Sequence, residues 1–413
     1  MTRALRTARF GAILTFVLAG LMCGTFTVRL PALADKLQLS ESSVGVALLA
    51  WGLGALLTMQ VMRVVMARVG SRGVLRAGAP LCAAALALVA FAPSFPAVMV
   101  AATLFGMAFG AVDVAMNAQG SVVERAYGRS LMSGMHAGWC VGAISAGLLG
   151  TAAIAAGLSL TAHLTVVALG SLPLTLALSR TYLPDGRTSQ PDSAAARAKA
   201  PRARLPRVVY LLGAITFGAF MVEGAVADWN GLYLRGTLGA PEALAALGYP
   251  VFEAGMLIAR LSGDRLRGRY GARGLIVASG AATAATFLVV IVAPSALAAV
   301  TGMFFVGLAV ATISPMALSL AGTATADPGP AIAQAGAMGY AGLLLGPVVI
   351  GFLSSATSMR AALVTAVVLG VLVAVVARLL PRSRTAPLAL ETRMDAALMK
   401  EDGVESHRLP MAA

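Results

Sequence analysis

The sequence predicts an all-α polytopic membrane protein of twelve transmembrane helices in two pseudo-symmetric six-helix bundles. Three observations lead there. The 413 residues are 59% hydrophobic and only 12% charged, with a mean hydropathy of +0.85. A soluble chain carries about 25% charged residues, so this one cannot cover a water-facing surface of its size. The apolar residues also fall into runs of membrane length, and the positive charge sorts onto one membrane face. An ordinary cytosolic enzyme and a disordered protein are excluded. A nucleic-acid role is the weaker reading of the net charge of +14, and none is expected.

A span needs roughly 20 apolar residues, so twelve use about 240, or about 58% of the chain. The runs lie at 10–30, 44–65, 76–92, 96–118, 132–155 and 160–180, then at 208–234, 244–262, 274–293, 296–320, 333–354 and 361–380. The first is too long, and too poor in a small-residue cleavage site, for a removable signal peptide, and is expected to remain as a helix. With the N-terminus inside, 27 of the 31 basic residues fall in inside connections. Only Arg29, Lys36, Arg235 and Arg360 stay outside. The opposite orientation reverses that ratio, so the positive-inside rule places both termini in the cytoplasm of a bacterial inner membrane.

Residues 1–183 form the expected N-terminal lobe and 208–380 the C-terminal lobe. The connection at 184–207 is rich in Pro, Ala, Ser and Arg and reads as a flexible cytoplasmic linker. The polar tail at 381–413 reads as cytoplasmic and disordered, with a short helix near 388–400. The halves echo each other. GAIL at 11 matches GAIT at 213, Gly106 matches Gly307, and GWCVGAISAG at 138–147 matches GLLLGPVVIG at 342–351. These offsets of 201 to 204 on equivalent spans argue for duplication, the parallel-repeat layout of two-lobed secondary transporters with a site between the lobes.

Cys23, Cys82 and Cys140 sit in apolar runs without CxxC spacing and read as buried thiols. Three scattered histidines give no metal-site pattern. No Walker motif supports ATP-driven transport. No cofactor or metal is expected, and the chain is not read as an enzyme.

On this pattern of spans the chain resembles the major facilitator superfamily, over nearly its full length. That family's inside-loop motif, G-x-x-x-D-R-x-G-R-R, aligns with RVVMARVGSR at 63–72, where Arg68, Gly70 and Arg72 match. Arg63, Ala67 and Ser71 replace the leading Gly, the Asp and an Arg. The second copy, ARLSGDRLRGRYG at 259–271, holds Arg260, Asp264, Arg265, Arg269 and Gly271. The resemblance implies a latch that shuts the cytoplasmic side, built from Arg68, Gly70, Arg72, Arg260, Asp264 and Arg265. With Ala67 in place of Asp, its carboxylate half is missing from the first copy. DVAMNAQGSVVE at 113–124 and EGAVADWNGLYL at 223–234 resemble a bacterial permease branch related in outline to fucose-permease-like transporters. Drug-efflux antiporters of the family carry G-x-x-x-G-P-x-x-G-G in the fifth span. Here Gly138, Gly142 and Gly147 remain, but Ala143 and Ala146 replace the Pro and a Gly, and the Gly-Pro pair stands instead at Gly346 and Pro347.

The candidate transport residues are the acids left among the spans, where an ionised side chain costs at least about 2.5–3.5 kcal/mol and so faces a cavity or a partner. Gly106, Gly110, Asp113 and Asn117 form one helical stripe, with glycines that admit a neighbour and a polar pair that faces it. His136 and Trp139 open the fifth span at a similar depth, so an Asp113–His136 proton pair is expected, and Trp139 can stack on a ring. Glu223 lies past the middle of the seventh span as a substrate or proton site. Asp228, Trp229, Asn230 and Tyr233 read as an outer-mouth cluster, with interface anchoring the plainer role for Trp229 and Tyr233. Glu253 lies in the outer half of span eight. Arg29 reads as a snorkelling end residue. The expectation is a monomeric, proton-coupled carrier of a small solute that works by alternating access in the lipid bilayer. An efflux antiporter and a non-transporting membrane receptor are its rivals.

Overall fold

The computed structural model describes residues 2–128, 131–185, 205–325 and 328–381. Among them, twelve helices are long and apolar enough to cross a membrane. They are numbered here as spans: 1, Arg3–Leu37; 2, Glu41–Met62; 3, Val64–Phe91; 4, Phe95–Tyr127; 5, Gly134–Ala155; 6, Leu160–Leu178; 7, Arg207–Thr237; 8, Glu242–Gly263; 9, Arg265–Ile291; 10, Ala296–Thr323; 11, Pro330–Ala356; 12, Met359–Arg378. The linker expected at 184–207 lies mostly, and the tail with its short helix at 388–400 wholly, outside the described residues.

Most of the spans run past the apolar limits seen in the sequence. Span 1 starts seven residues before its expected run, because a helix propagates through Arg3, Arg6 and Arg9 once its backbone bonds are formed. Serines set the starts at one end of the bundle. Ser40, Ser159, Ser295 and Ser358 are N-caps whose side chains accept from the amides of Ser43, Ala162, Ala298 and Ala361. Each cap satisfies an amide that the helix leaves unpaired, worth about 1 kcal/mol.

Two pairs of spans are joined by very short turns. Helical segments between Glu41 and Phe91, and between Gly248 and Ile291, are broken at Gly70 (φ +72°, ψ 169°) and Gly271 (φ +70°, ψ 155°). A side chain at either glycine would be strained in that backbone region. The two turns stand 201 residues apart, which makes them the same joint in each half.

Helix packing carries the duplication further. A Cβ on Gly106 would lie 1.9 Å from the Trp51 carbonyl oxygen, and one on Gly307 would lie 2.1 Å from that of Phe252. Gly54 lies against the Thr103 carbonyl as Gly255 lies against that of Phe304, and Gly142 against Val17 as Gly342 lies against Phe217. Both members of every pair are 200 or 201 residues apart. This corrects the alignment of span 5. Gly142 corresponds to Gly342, whereas the sequence match paired Gly138 with it, at an offset of 204. The slip is one helical turn, which keeps the same face, and spans this rich in glycine match almost as well in either register.

Spans 1 and 5 pack together, as do 2 and 4, in the first half; 7 and 11, and 8 and 10, repeat this in the second. Between the halves, span 2 lies on span 11 and span 5 on span 8. The outer surface is apolar, with side chains such as Leu57, Leu81, Val166 and Leu297 exposed where lipid would cover them.

Gly106→Ala and Gly307→Ala should each destabilise the protein by about 1–3 kcal/mol, since a backbone carbonyl cannot move aside as a side chain can. Gly170→Ala, where nothing stands within 4 Å, should stay within about 0.5 kcal/mol. The survival of the monodisperse peak after heating in detergent gives the comparison.

Candidate functional site

The two lobes are tied most firmly at one end, where spans 1, 5, 7 and 11 finish and spans 2 and 8 begin. The Ser42 amide donates to Ser355 Oγ at 3.0 Å. Gly45 lies against the Pro347 carbonyl, and Gly351 against that of Glu41. On the other seam Gly147 lies against the Pro250 ring, and Thr151 Oγ1 donates to the Ala243 carbonyl at 3.4 Å. Of the Gly-Pro pair of span 11, Pro347 thus belongs to the lobe seam, whereas Gly346 lies against Met221 of its own lobe.

An ionic cluster closes the same end. Arg29 Nη1 lies 3.3 Å from Glu242 Oε1, and Arg235 bridges Asp35 at 2.7 Å and Glu242 at 3.9 Å. Arg29 and Asp35 belong to the first lobe, Arg235 and Glu242 to the second. The π-helical turn Tyr233–Thr237 carries Arg235 at the end of span 7. Arg29 is only 3% exposed, so it does not snorkel to the membrane surface: its partner is a carboxylate more than two hundred residues away in sequence.

The turns at the opposite end make their described polar contacts inside their own lobes. Ser71 donates from its amide and from its hydroxyl to the two Asp185 oxygens, at 2.5 Å each. Gln119 Nε2 donates to the Leu183 carbonyl at 3.2 Å. A carboxylate therefore does reach this turn, supplied by Asp185 at the start of the linker in place of Ala67. Arg68 and Arg265 are exposed, and Arg267 donates to Ser319 within the second lobe. The Asp264 side chain lies outside the described residues. Arg260 is not in this turn. It stands eleven residues before Gly271, about 16 Å along the helix, and points between the lobes.

There it joins a group of buried polar side chains midway along the bundle. Arg260 Nη2 lies 3.9 Å from Glu223 Oε2, and its Nη1 donates to Cys140 Sγ of the other lobe at 3.4 Å. Ser314 donates to Glu223 Oε1 at 3.3 Å. Span 10 is interrupted just before that serine, with helix ending at Val310 and resuming at Ile313. Asp113 accepts from Asn117 Nδ2 at 3.3 Å, and the Tyr340 hydroxyl of span 11 reaches it across the seam. Glu253 is 4% exposed, with Cys140 and Tyr249 beside it. The Cys23 thiol of span 1 has Asp228, Glu253 and Asp113 all within electrostatic range.

An aromatic row lines the first lobe. The rings of Trp51 and Phe109 are 5.4 Å apart, and those of Phe109 and Trp139 5.7 Å apart and edge-on. Phe109 is one turn from Asp113 on span 4. In the second lobe Phe220 packs edge-on against Tyr340 at 5.9 Å.

The structure brings Asp113, Asn117, Trp139, Glu223, Asp228 and Glu253 to the region between the lobes, together with Arg260. It does not bring Asp113 and His136 together. His136 is exposed, packs edge-on against Phe16 at 5.1 Å and feels the charge of Arg260. The cluster expected from 228 to 233 divides: Asp228 is half-buried, whereas Trp229, Asn230 and Tyr233 are packed inside the second lobe. Trp229 is fully buried, and Tyr233 donates to the carbonyls of Val290 and Ile291, so neither is an interface anchor. Sequence reasoning missed Tyr340, Trp51 and Ser314. Ser314 was reachable, because the 201-residue offset makes it the counterpart of Asp113.

The Major Facilitator Superfamily profile matches residues 12–328 and 231–405. The transporter y4wD of Sinorhizobium fredii is 32% identical over 383 residues, 92% of this chain and 99% of that protein. An MFS-type transporter of Yersinia pestis is 34% identical over 378 residues, 89% of this chain and 94% of that protein. Among solved structures, the D-xylose-proton symporter matches with a TM-score of 0.74 at 16% identity, over 92% of this chain and 98% of that one. The nucleoside transporter NupG matches with 0.69 at 14%, again over 92% and 98%. At such identities the two structures share the fold alone.

Glu242→Gln leaves the buried Arg29 guanidinium without its counter-charge. Breaking a buried pair at one partner costs about 3–5 kcal/mol, and the partial exposure of Glu242 reduces this to about 1–2 kcal/mol. The tied end should then open about tenfold more often. Maleimide labelling of a cysteine at Ser354, 6% exposed at this end of span 11, should speed up by that factor.

Proposed function

The chain belongs to the major facilitator superfamily and is a multi-pass membrane transporter, and from that premise we propose that it is a proton-coupled secondary carrier which moves a small solute by alternating access. Carboxylates contributed by both lobes to the seam between them carry this reading. Asp113 meets Tyr340 across the seam, and Glu223 shares Arg260 with Cys140 of the other lobe. A proton on Glu223 removes the counter-charge of Arg260, and a proton on Asp113 changes what Tyr340 can donate to. Each event alters a contact that holds or orients the lobes, so protonation and rocking are linked. An unpaired charge at this depth costs at least about 2.5–3.5 kcal/mol, enough to shift a two-state equilibrium by about two orders of magnitude.

The positive-inside rule puts the N-terminus in the cytoplasm of a bacterial inner membrane. The tied end then faces outward, and the reading is of an inward-open state. The loops at 63–72 and 260–271 turn at Gly70 and Gly271, make polar contacts within their own lobes, and would meet in the other state. A fold neighbour that is a D-xylose-proton symporter supports coupling to protons.

In proteoliposomes carrying a solute that the wild type transports, Glu223→Gln and Asp113→Asn should each lose uphill uptake driven by an imposed pH gradient. Solute exchange at equal pH should persist. The coupling assignment fails if both variants accumulate solute with unchanged pH dependence.

A further inference from the structure

Spans 9 and 12 pack together in the second lobe, outside the pairs that form the seam. Their backbones touch at two glycines. A Cβ on Gly280 would lie 2.8 Å from the Ala374 amide nitrogen, and one on Gly370 would lie 2.7 Å from that of Ala284. Beside this crossing a cleft of about 420 Å3 runs between the two helices. Ala281, Ala285 and Leu288 of span 9 form one wall, and Val367 and Val371 of span 12 the other. Leu288 and Val371 are each 49% exposed, so the cleft opens toward lipid. Val367 stands eleven residues before Arg378, about 16 Å along the helix.

Arg378 is the one charged residue that lines this cleft. It lies in the last turn of span 12. Helical side chains lean toward the N-terminus of their helix, which carries this one back over the apolar walls. Arg273 of span 9 donates to the Arg378 carbonyl, so a second guanidinium stands at the same end. Among the described residues neither arginine has an ion pair. From 265 to 380 the sequence holds six arginines and a single acid, Asp327. An apolar cleft with a cationic mouth complements a hydrocarbon chain that carries an anionic head.

We propose that this cleft binds an anionic phospholipid from the surrounding bilayer. One acyl chain lies between spans 9 and 12, and the phosphate rests on Arg378 with Arg273 beside it. A zwitterionic lipid offers the same chain, but its ammonium offsets the phosphate, so the site selects by head-group charge. Such a site needs only that the chain sits in a membrane, and it is independent of the solute and of proton coupling.

Native mass spectrometry tests this on the purified, delipidated full-length protein, offered phosphatidylglycerol and phosphatidylethanolamine in equal amounts. The wild type should retain one phosphatidylglycerol, preferred about fivefold or more. Arg378→Gln should abolish that preference, and Arg378→Lys should keep it. Ala285→Phe, which fills the cleft from an exposed position, should lower phosphatidylglycerol retention by the same factor in a variant of equal melting temperature. Arg180→Gln removes an exposed arginine after span 6 and should change nothing. Glycerol phosphate, a head group without chains, should not compete. Equal retention of the two lipids overturns the proposal, as does a preference that survives Arg378→Gln or Ala285→Phe. Equal losses in Arg180→Gln and Arg378→Gln, or competition by glycerol phosphate, would reduce the site to general surface charge and overturn it too.

Discussion

Helices in a bilayer gain little by hiding apolar side chains from lipid that is just as apolar, so this fold depends on backbones that touch. Gly106 on Trp51, Gly142 on Val17, and their counterparts Gly307 on Phe252 and Gly342 on Phe217 bring main chains within van der Waals distance. Each contact fixes the relative depth of two spans to a fraction of a turn. The same contacts in both halves give two similar lobes. The lobes meet along span 2 with span 11 and span 5 with span 8, and there too glycine faces a proline, at Gly45 with Pro347 and Gly147 with Pro250.

Tight lobes and firm seams decide where charge can reside. A carboxylate packed inside a lobe would have no water and no room for a partner, so Asp113, Glu223, Asp228 and Glu253 all gather between the lobes. The tied end uses its charges differently. Arg29, Asp35, Arg235 and Glu242 neutralise one another in a cross-lobe cluster, which strengthens one conformation. The central carboxylates are short of positive charge, which leaves them free to take a proton or a ligand. One set of ion pairs holds a state, and the other responds to what enters.

The twelve spans were legible in the sequence because each follows from local composition, and the same composition marks the few acids that fall among them. The residues that were misread depend on distant partners. Arg29 ends an apolar run and so resembles a snorkelling arginine, until Glu242 is folded onto it. Arg260 falls inside a stretch that resembles an inside-loop motif, but the helix continues to Gly271 and leaves it deep in the seam. Tyr340 gives no signal in a glycine-rich span, since nothing local marks it as the partner of Asp113. The register of span 5 was lost for another reason: Gly138, Gly142 and Gly147 allow a slip of one turn that only the Val17 and Phe217 contacts resolve.

The central claim is that two lobes rock about a seam of carboxylates, tied at one end and separate at the other. Spin labels at Gln38 and Thr357 report the tied end across the lobes, and labels at Val69 and Tyr270 report the opposite end. Distances measured by double electron–electron resonance in lipid nanodiscs, from pH 5 to pH 8, test this directly. The account predicts two populations at each end that exchange in opposite directions, long at one end when short at the other, with the pH response lost in Glu223→Gln. A single pH-independent distance at both ends would contradict it.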